Sequence, residues 1–138
     1  METRLVSPKS KITILVVDDD PVIRQLLESA LAQGGDYNIL LAGNGALGLQ
    51  QSKDFKDEIK VLITDFQMSG MSGIELATAM TIDRPKLKVL MMSGFPEGML
   101  ILNKGWHFLP KSFVASQLRA LVVGLVDPDK KSRFAAAA

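Results

Sequence analysis

Short apolar runs alternate along the chain with segments in which apolar residues recur at the spacing of one helix face. The first run, Ile12–Val17, is rich in β-branched residues and therefore favours a strand. Asp20 and Pro21 follow it, and this pair is typical of a helix start, with aspartate as the N-cap and proline at the first helical position. The pattern predicts a buried strand that leads almost directly into a helix.

The same alternation continues along the chain and predicts five strand–helix units. The predicted strands are Ile12–Val17, Tyr37–Ala42, Val61–Thr64, Leu87–Met92 and Trp106–Leu109. The predicted helices are one that begins at Pro21 and stops at Gly34–Gly35, then Asn44–Ser52, Ile74–Ile82, a short helix at Glu97–Asn103, and a last helix from Ser112 or Phe113 to Val126. The helix at Asn44–Ser52 has the weakest support because Gly45 and Gly48 lie within it.

The strands are continuous apolar segments, a pattern typical of a parallel sheet that is covered on both faces. Together with the strand–helix alternation, this predicts a doubly wound α/β fold. In such sheets ligands bind beyond the carboxyl ends of the strands. The residues at those ends are Asp18, Asp19 and Asp20 after the first strand, Asp65 after the third, Ser93 after the fourth and Lys111 after the fifth.

Composition narrows the class of protein. The 138 residues suggest a single domain, which we place at residues 11–126, with a flexible N-terminus at 1–10 and a C-terminal tail at 127–138. With a net charge of +1, no strong electrostatic field argues for a nucleic-acid or anionic-membrane partner. The lack of cysteine excludes disulfides, thiolate zinc sites and cysteine nucleophiles. With neither a signal sequence nor an apolar span in sight, we expect a cytoplasmic protein.

The polar residues at the strand ends suit phosphoryl chemistry around a metal ion. Three carboxylates without a nearby histidine or cysteine suit a hard cation such as Mg²⁺, which prefers oxygen ligands. A hydroxyl and an ammonium group can donate to the oxygens of a phosphoryl group. One of the carboxylates could then act as a nucleophile and form an aspartyl phosphate.

Four segments at these strand ends resemble one known family. The residues ILVVDDDPVIR, VLITDFQMSGMSGIEL, VLMMSGF and FLPKSF resemble the receiver domain of two-component response regulators, in the order and at the positions of that family, over about residues 11–126. The resemblance implies a flavodoxin-like fold with five parallel strands in the order 2-1-3-4-5. The segment between Ser93 and Lys111 is shorter than is typical, so we expect a short or irregular fourth helix.

The resemblance also implies roles for individual residues around a metal ion. Asp65 corresponds to the phosphoacceptor, Asp19 to a direct Mg²⁺ ligand, and Asp18 to an acidic partner that acts through water. Gln67 would supply a backbone carbonyl to the ion, and Mn²⁺ is an alternative ion. Asp20 has no counterpart in this chemistry, and we assign it to helix capping.

Three further positions match residues that respond to the phosphoryl group in the family. Ser93 corresponds to the hydroxyl that moves to bind it, and Lys111 to the lysine that pairs with one of its oxygens. Phe108 corresponds to an aromatic residue whose rotamer accompanies the switch. These matches imply a phosphoacceptor that switches a protein-interaction surface, rather than an enzyme.

The implied partner is a sensor histidine kinase or a phosphotransfer protein. The downstream target is open, we expect neither direct nucleic-acid binding nor membrane insertion, and the oligomeric state would be a monomer or weak homodimer. The sequence leaves open a stand-alone receiver and one from a longer protein. Two other functions remain as alternatives: a receiver-like binding module that is not phosphorylated, and a haloacid-dehalogenase-type phosphatase with Asp18 as nucleophile, which leaves Asp65 unexplained.

Overall fold

A computed structural model of the chain describes residues 11–33, 37–93, 106–111 and 113–127. Five strands form one parallel sheet. They are β1 (Ile12–Val17), β2 (Tyr37–Ala42), β3 (Val61–Asp65), β4 (Lys88–Ser93) and β5 (His107–Pro110). Their order in the sheet is β2-β1-β3-β4-β5, and each neighbouring pair is parallel. This confirms the predicted fold class and strand order.

Four helices lie among the described residues. They are α1 (Pro21–Ala32), α2 (Gly45–Asp54), α3 (Gly73–Asp83) and α4 (Ala115–Val126). None of these helices is long and apolar enough to cross a bilayer. The predicted stop at Gly34–Gly35 and the predicted short helix at Glu97–Asn103 lie outside the described residues.

The predicted start of the last helix is wrong. Phe113 donates its N–H to the carbonyl of Pro110 at 3.1 Å and so belongs to a turn. The helix begins at Ala115, with Val114 as a cap residue that makes no side-chain capping bond. Apolar periodicity marks which residues face the core, but it does not separate the last turn before a helix from its first turn.

The other three helices begin at residues whose side chains accept bonds from the first helical N–H groups. The Asp20 carboxylate accepts the N–H of Val22 at 2.9 Å, which confirms its predicted role as the cap of α1. Asn44 caps α2 in the same way. At the start of α3, Ser72 and Glu75 form a reciprocal capping box. Local polar residues therefore fix where each of these three helices begins.

Two apolar clusters cover the two faces of the sheet. The first lies under α1 and α4 and consists of Ile14, Val16, Leu27, Ala30, Leu31, Val61, Ile63, Leu90, Met92, Leu109, Leu118, Val122 and Leu125. The second lies under α2 and α3 and consists of Leu15, Val17, Ala42, Ile59, Leu62, Leu76, Ala77, Met80, Leu87, Val89 and Met91. Alternate residues of the central strands enter opposite clusters, so both faces are buried.

The glycines of α2 allow this helix to pack closely. A Cβ at Gly48 would lie 2.8 Å from a methyl carbon of Val17, and a Cβ at Gly45 would lie 2.8 Å from the Cβ of Met71. Glycine lowers helix propensity, but here it lets the helix backbone approach β1 and the loop before α3. The helix that the sequence supported least is present because packing outweighs propensity.

Candidate functional site

Three carboxylates converge at the carboxyl end of the two central strands. Val17 is paired with Thr64, so the residues that follow them, Asp18 and Asp65, emerge side by side. One carboxylate oxygen from each of Asp18, Asp19 and Asp65 lies within 4.8 Å of the others. Asp18 and Asp65 are buried, whereas Asp19 is exposed. The acidic cluster predicted from the strand ends is therefore assembled in the fold.

The surroundings of Asp18 leave one of its oxygens without a donor. Its Oδ1 accepts the N–H of Asp20 at 2.8 Å. Its Oδ2 is buried and has no hydrogen-bond partner among the described residues. Burial raises the pKa of the Asp18 carboxyl, against the opposing effects of the Asp20 N–H and the Lys111 charge. A buried carboxylate oxygen that lacks a hydrogen-bond donor is suited to bind a cation.

Lys111 places an ammonium group against the cluster. Its Nζ donates to Oδ2 of Asp65 at 2.8 Å and lies 3.8 Å from Oδ2 of Asp18. Burial alone would lower the pKa of Lys111, but the hydrogen bond to Asp65 and the neighbouring negative charges outweigh it and raise the pKa. Lys111 therefore stays cationic at neutral pH and can donate a hydrogen bond to an anion that binds beside Asp65.

The loop after β3 holds Asp65 by close backbone contacts. A Cβ at Gly73 would lie 2.1 Å from the carbonyl oxygen of Asp65, so only glycine fits there. The N–H of Gly73 donates to the carbonyl of Phe66 at 3.1 Å, and the N–H of Phe66 donates to the carbonyl of Met92 at 2.7 Å. The first turn of α3 thus lies directly against the backbone that carries the Asp65 carboxylate.

The other predicted site residues lie around this cluster. Ser93 is buried at the end of β4, and its carbonyl accepts the N–H of Lys111 at 2.9 Å. Gln67 is exposed, and its N–H donates to Oδ1 of Asp65 at 3.3 Å. Phe108 is half-buried, pairs with Met91 in the sheet and packs against the cluster under α2 and α3. The roles predicted for these three residues stay predictions.

The donor set fits a hard divalent cation. Its ligand atoms are carboxylate oxygens, and one of them is buried without a donor. Mg²⁺ favours such oxygens and commonly keeps several waters, for which the exposed side of Asp19 leaves room. Histidine and cysteine, which a softer metal would prefer, are absent from this cluster of described residues.

Residues 14–123 match the family model of the response regulator receiver domain. The chain belongs to this family. The receiver protein CpdR of Brucella abortus is 31% identical over 105 residues, which cover 68% of this chain and 85% of that protein. Receiver domains are signalling modules of two-component systems rather than enzymes in the usual sense.

Several other relatives are much longer than this receiver domain. The two-component response regulator ARR21 of Arabidopsis thaliana is 35% identical over 83 residues, which cover 60% of this chain but 13% of that protein. The transcriptional regulatory protein TcrX of Mycobacterium tuberculosis is 32% identical over 82 residues, which cover 59% of this chain and 34% of that protein. The match therefore concerns one domain of these proteins.

Solved receiver structures share the fold. The receiver domain of the hybrid histidine kinase CckA superposes with a TM-score of 0.71 at 25% identity and covers 83% of this chain and 99% of that chain. The receiver domain of NarL from Mycobacterium tuberculosis gives a TM-score of 0.72 at 28% identity, with 82% and 94% covered. A receiver domain protein from Clostridium thermocellum, at 24% identity and a TM-score of 0.77, supports the fold alone.

The sequence reasoning missed two residues of this receiver domain that contact the backbone of the site. Gly73 lies against the Asp65 carbonyl, and Arg24 donates to the Asp18 carbonyl at 2.7 Å. Neither contact follows from helical spacing or from strand ends. The one available signal for Arg24 was its place one turn into the helix that follows the aspartates, where a long side chain can reach back toward them.

Proposed function

We propose that this receiver domain accepts a phosphoryl group on Asp65 from a histidine kinase or phosphotransfer protein, with Mg²⁺ bound beside it. The observation that carries the proposal is the assembly of three carboxylates and one ammonium group within a few ångströms at the carboxyl end of the sheet. Such a set leaves Asp65 able to attack phosphorus, while Lys111 and the bound ion would offset its repulsion of an anionic donor.

In this proposal the carboxylates of Asp18, Asp19 and Asp65 hold the ion, Asp18 through water, and the backbone carbonyl of Gln67 completes the protein ligands. Mn²⁺ can replace Mg²⁺ because it accepts the same oxygen ligands. The ion supplies positive charge that offsets the repulsion between an anionic phosphoryl group and an anionic carboxylate. An oxygen of Asp65 forms the new bond to phosphorus as the bond from phosphorus to the donor imidazole nitrogen breaks.

Lys111 and Ser93 then act as donors to the bound phosphoryl group. Lys111 already contacts the carboxylate that would be phosphorylated, at 2.8 Å, so a short movement brings it to a phosphoryl oxygen. Ser93 ends the strand between Asp65 and Lys111 and offers a hydroxyl. Rearrangement of Ser93 and Phe108 would change the surface beside β4 and β5 and so alter what the domain binds.

Relatives support a kinase as the phosphoryl donor. The sensor kinase CckA of Brucella abortus is 27% identical to this chain over 119 residues, which cover 83% of this chain and 12% of that protein. A protein named as a sensor kinase therefore carries a matching segment. For this chain we propose a cytoplasmic domain at residues 11–126 that is a monomer or weak homodimer and has no direct nucleic-acid or membrane partner.

Phosphorylation by acetyl phosphate with Mg²⁺ tests the proposal directly. The expected result is a mass increase of one phosphoryl group in the wild type, none in Asp65→Asn, and none when EDTA removes the ion. Asp83→Asn is the matched control, because Asp83 is an exposed aspartate on α3 and its loss leaves the mass increase intact.

Two outcomes would support the alternative functions instead. A wild type that gains no mass with saturating acetyl phosphate and is unchanged by beryllofluoride would contradict phosphorylation and favour a binding module. Sustained hydrolysis of a phosphomonoester that is lost in Asp18→Asn but kept in Asp65→Asn would favour a phosphatase with Asp18 as its nucleophile.

A further inference from the structure

The side chain of Arg24 reaches back from α1 to the backbone of the acidic cluster. Its Nη1 donates to the carbonyl oxygen of Asp18 at 2.7 Å, a short bond from a charged donor. Arg24 lies one turn into the helix that begins at Pro21 and is half-buried. The contact therefore joins the helix to the segment that carries the two aspartates.

The carbonyl that Arg24 holds belongs to the peptide unit between Asp18 and Asp19. A peptide unit is planar and moves as one body, so the direction of this carbonyl fixes the rotation of the backbone on both sides of it. Turning the unit would move the carboxylate of Asp18 and that of Asp19 relative to each other. Control of this one carbonyl is control of the relative placement of two carboxylates in the cluster.

Two other contacts restrain the segment, but neither reaches the carbonyl oxygen of this peptide unit. The N–H of Asp18 donates to the carbonyl of Ala42 at 3.3 Å, and the N–H of Asp20 donates to Oδ1 of Asp18 at 2.8 Å. The second bond closes a ring that contains the peptide unit between Asp18 and Asp19, but neither bond contacts the carbonyl oxygen of that unit. Among the described residues, Arg24 is the side chain that donates to this carbonyl.

The neighbouring loop leaves space for the guanidinium group. Gly43 follows β2, and a Cβ at this position would lie 3.2 Å from Nη1 of Arg24. A Cβ at Gly43 would require the guanidinium to shift by a few tenths of an ångström. The bond to Asp18 thus depends on a residue of another strand–helix connection, which makes Gly43→Ala a way to disturb the contact without removing a charge.

We propose that Arg24 is a positioning residue of the metal site, which sets the relative placement of Asp18 and Asp19 through the peptide unit between them. The inference rests on the proposed Mg²⁺ site and deepens it. Mg²⁺ requires near-ideal octahedral geometry, whereas Ca²⁺ tolerates flexible ligand arrangements. Loss of the Arg24 contact therefore weakens Mg²⁺ binding more than Ca²⁺ binding.

Calorimetric titration of Mg²⁺ and Ca²⁺ into wild type, Arg24→Met and Arg24→Lys tests the inference. We expect Arg24→Met to raise the Kd for Mg²⁺ by roughly ten- to a hundredfold, the range for loss of a group that orients a metal ligand. The Kd for Ca²⁺ should rise by much less. Arg24→Lys should lie between the two, since an ammonium group can donate to the carbonyl but lacks the rigid fork.

Arg119→Met is the matched control for helix packing. Arg119 also donates to a backbone carbonyl of α1, that of Ala30, at 3.4 Å, but near the end of the helix away from the acidic cluster. This variant should keep the wild-type Kd for Mg²⁺ even if urea unfolding shows lower stability. A purely structural role for Arg24 predicts that both variants change metal binding equally, or that Mg²⁺ and Ca²⁺ affinities fall together, and either result overturns the inference.

The outcomes separate this inference from the proposed function. If wild type binds Mg²⁺ and Asp19→Asn does not, while Arg24→Met binds it within twofold of wild type, only the inference fails. If wild type binds no Mg²⁺, the proposed metal site and the inference fail together. Should Arg24→Met not fold, Arg24→Lys and Gly43→Ala decide the question, since unchanged Mg²⁺ affinity in both would overturn the positioning role.

Discussion

Among the residues that the structure describes, Asp18 has surroundings that are unfavourable for its own charge. It is fully buried, its Oδ2 has no donor among the described residues, and Asp19 and Asp65 lie close by. A buried polar atom that lacks a partner costs about 1–3 kcal/mol. The fold therefore gives up stability at Asp18 in order to present a carboxylate oxygen to the site.

The variant Asp18→Asn should be more stable than wild type in metal-free buffer, by about 1 kcal/mol or more at neutral pH. Because folding raises the pKa of Asp18, the folded state binds its proton more tightly than the unfolded state. Below the ordinary aspartate pKa of about 3.9, Asp18 is protonated in both states and does not destabilise the fold. The destabilisation grows as pH rises from there through the raised folded pKa, and it is complete above that pKa. Urea unfolding of both proteins across this range measures the difference.

Mg²⁺ supplies the control for this prediction. Saturating Mg²⁺ should stabilise wild type and leave Asp18→Asn nearly unchanged, because only the wild type offers the full set of carboxylates. Asp20→Asn removes an exposed carboxylate yet keeps a capping side chain. Its metal-free stability and its stabilisation by Mg²⁺ should therefore both match those of wild type. A metal-free Asp18→Asn that is less stable than wild type at neutral pH would contradict the argument.

The site residues Asp18 and Asp65 could be predicted from the sequence because their positions depend only on neighbouring residues along the chain. Each lies at the carboxyl end of a buried strand, and parallel strands present these ends at one edge of the sheet. The capping role of Asp20 was predictable for the same reason. Arg24 could not be found in this way, because its bond depends on where a long side chain turns in three dimensions.

At the scale of elements, the start of α3 determines where Asp65 stands. Gly73 is the first residue of this helix, and it leaves no space for a side chain beside the Asp65 carbonyl. Gly73→Ala should therefore lower the free energy of unfolding by roughly 2–3 kcal/mol, as overpacking does, and should also weaken Mg²⁺ binding by shifting Asp65. Thermal unfolding and metal titration check both effects.

Gly70→Ala separates this steric effect from backbone strain. Gly70 has a φ of 79°, but nothing lies within 4 Å of the position that its Cβ would take. This variant should lose about 1 kcal/mol from the left-handed conformation and keep its Mg²⁺ affinity. Equal loss of Mg²⁺ binding in the two variants would contradict the role assigned to Gly73.

Arg84 links the C-terminal ends of α2 and α3, at the edge of the sheet opposite the carboxylates. Its guanidinium makes four hydrogen bonds, to Oγ and the carbonyl of Ser52 and to the carbonyls of Phe55 and Asp57. Arg84→Met should lower the free energy of unfolding by about 2–3 kcal/mol, since several carbonyls lose a charged donor. Mg²⁺ affinity should not change, which calorimetry can check.

Lys53→Met is the control for Arg84. Lys53 forms an ion pair with Asp83 at 3.7 Å between the same two helices, but both side chains are about half exposed. Such pairs contribute less than about 1 kcal/mol, so this variant should unfold almost as wild type does. An equal loss in the two variants would show that the four guanidinium bonds, three of them partly buried, matter no more than the exposed pair.

Element types were easier to predict than their bounds. The five strands were found because each is a short apolar run, and the strand ends moved by one residue at most. The start of α4 was misplaced because no polar side chain caps it. The helix α2 was underrated because the benefit of Gly45 and Gly48 lies in contacts with distant residues, which a propensity scale does not contain.

For the whole molecule, stability should decrease from the middle of the sheet to its edges. The strands β1 and β3 are paired on both sides, whereas β2 and β5 are edge strands and β5 has only four residues. Amides of β1 and β3 should therefore exchange with solvent only through global unfolding, and those of β5 through local opening. Hydrogen exchange followed by mass spectrometry measures this, and equal protection of β1 and β5 would contradict it.

The strand order itself came from resemblance rather than from hydrophobic patterns. Apolar runs indicate which strands are buried, but several arrangements of five parallel strands bury both faces equally well. The segments around Asp18, Asp65, Ser93 and Lys111 selected one arrangement, and the observed order agrees with it. The residues of the site therefore predicted the strand order, which the apolar pattern of the core left open.

The ammonium group of Lys111 also fixes the electrical balance of the site. Three aspartates, when ionised, bring three negative charges and Lys111 brings one positive charge, so these four side chains sum to a charge of −2. A single divalent ion would balance the charge of these four side chains. A monovalent ion such as Na⁺ would leave it negative, and a trivalent ion would leave it positive. At the proposed metal site, valence as well as size would therefore favour a divalent ion.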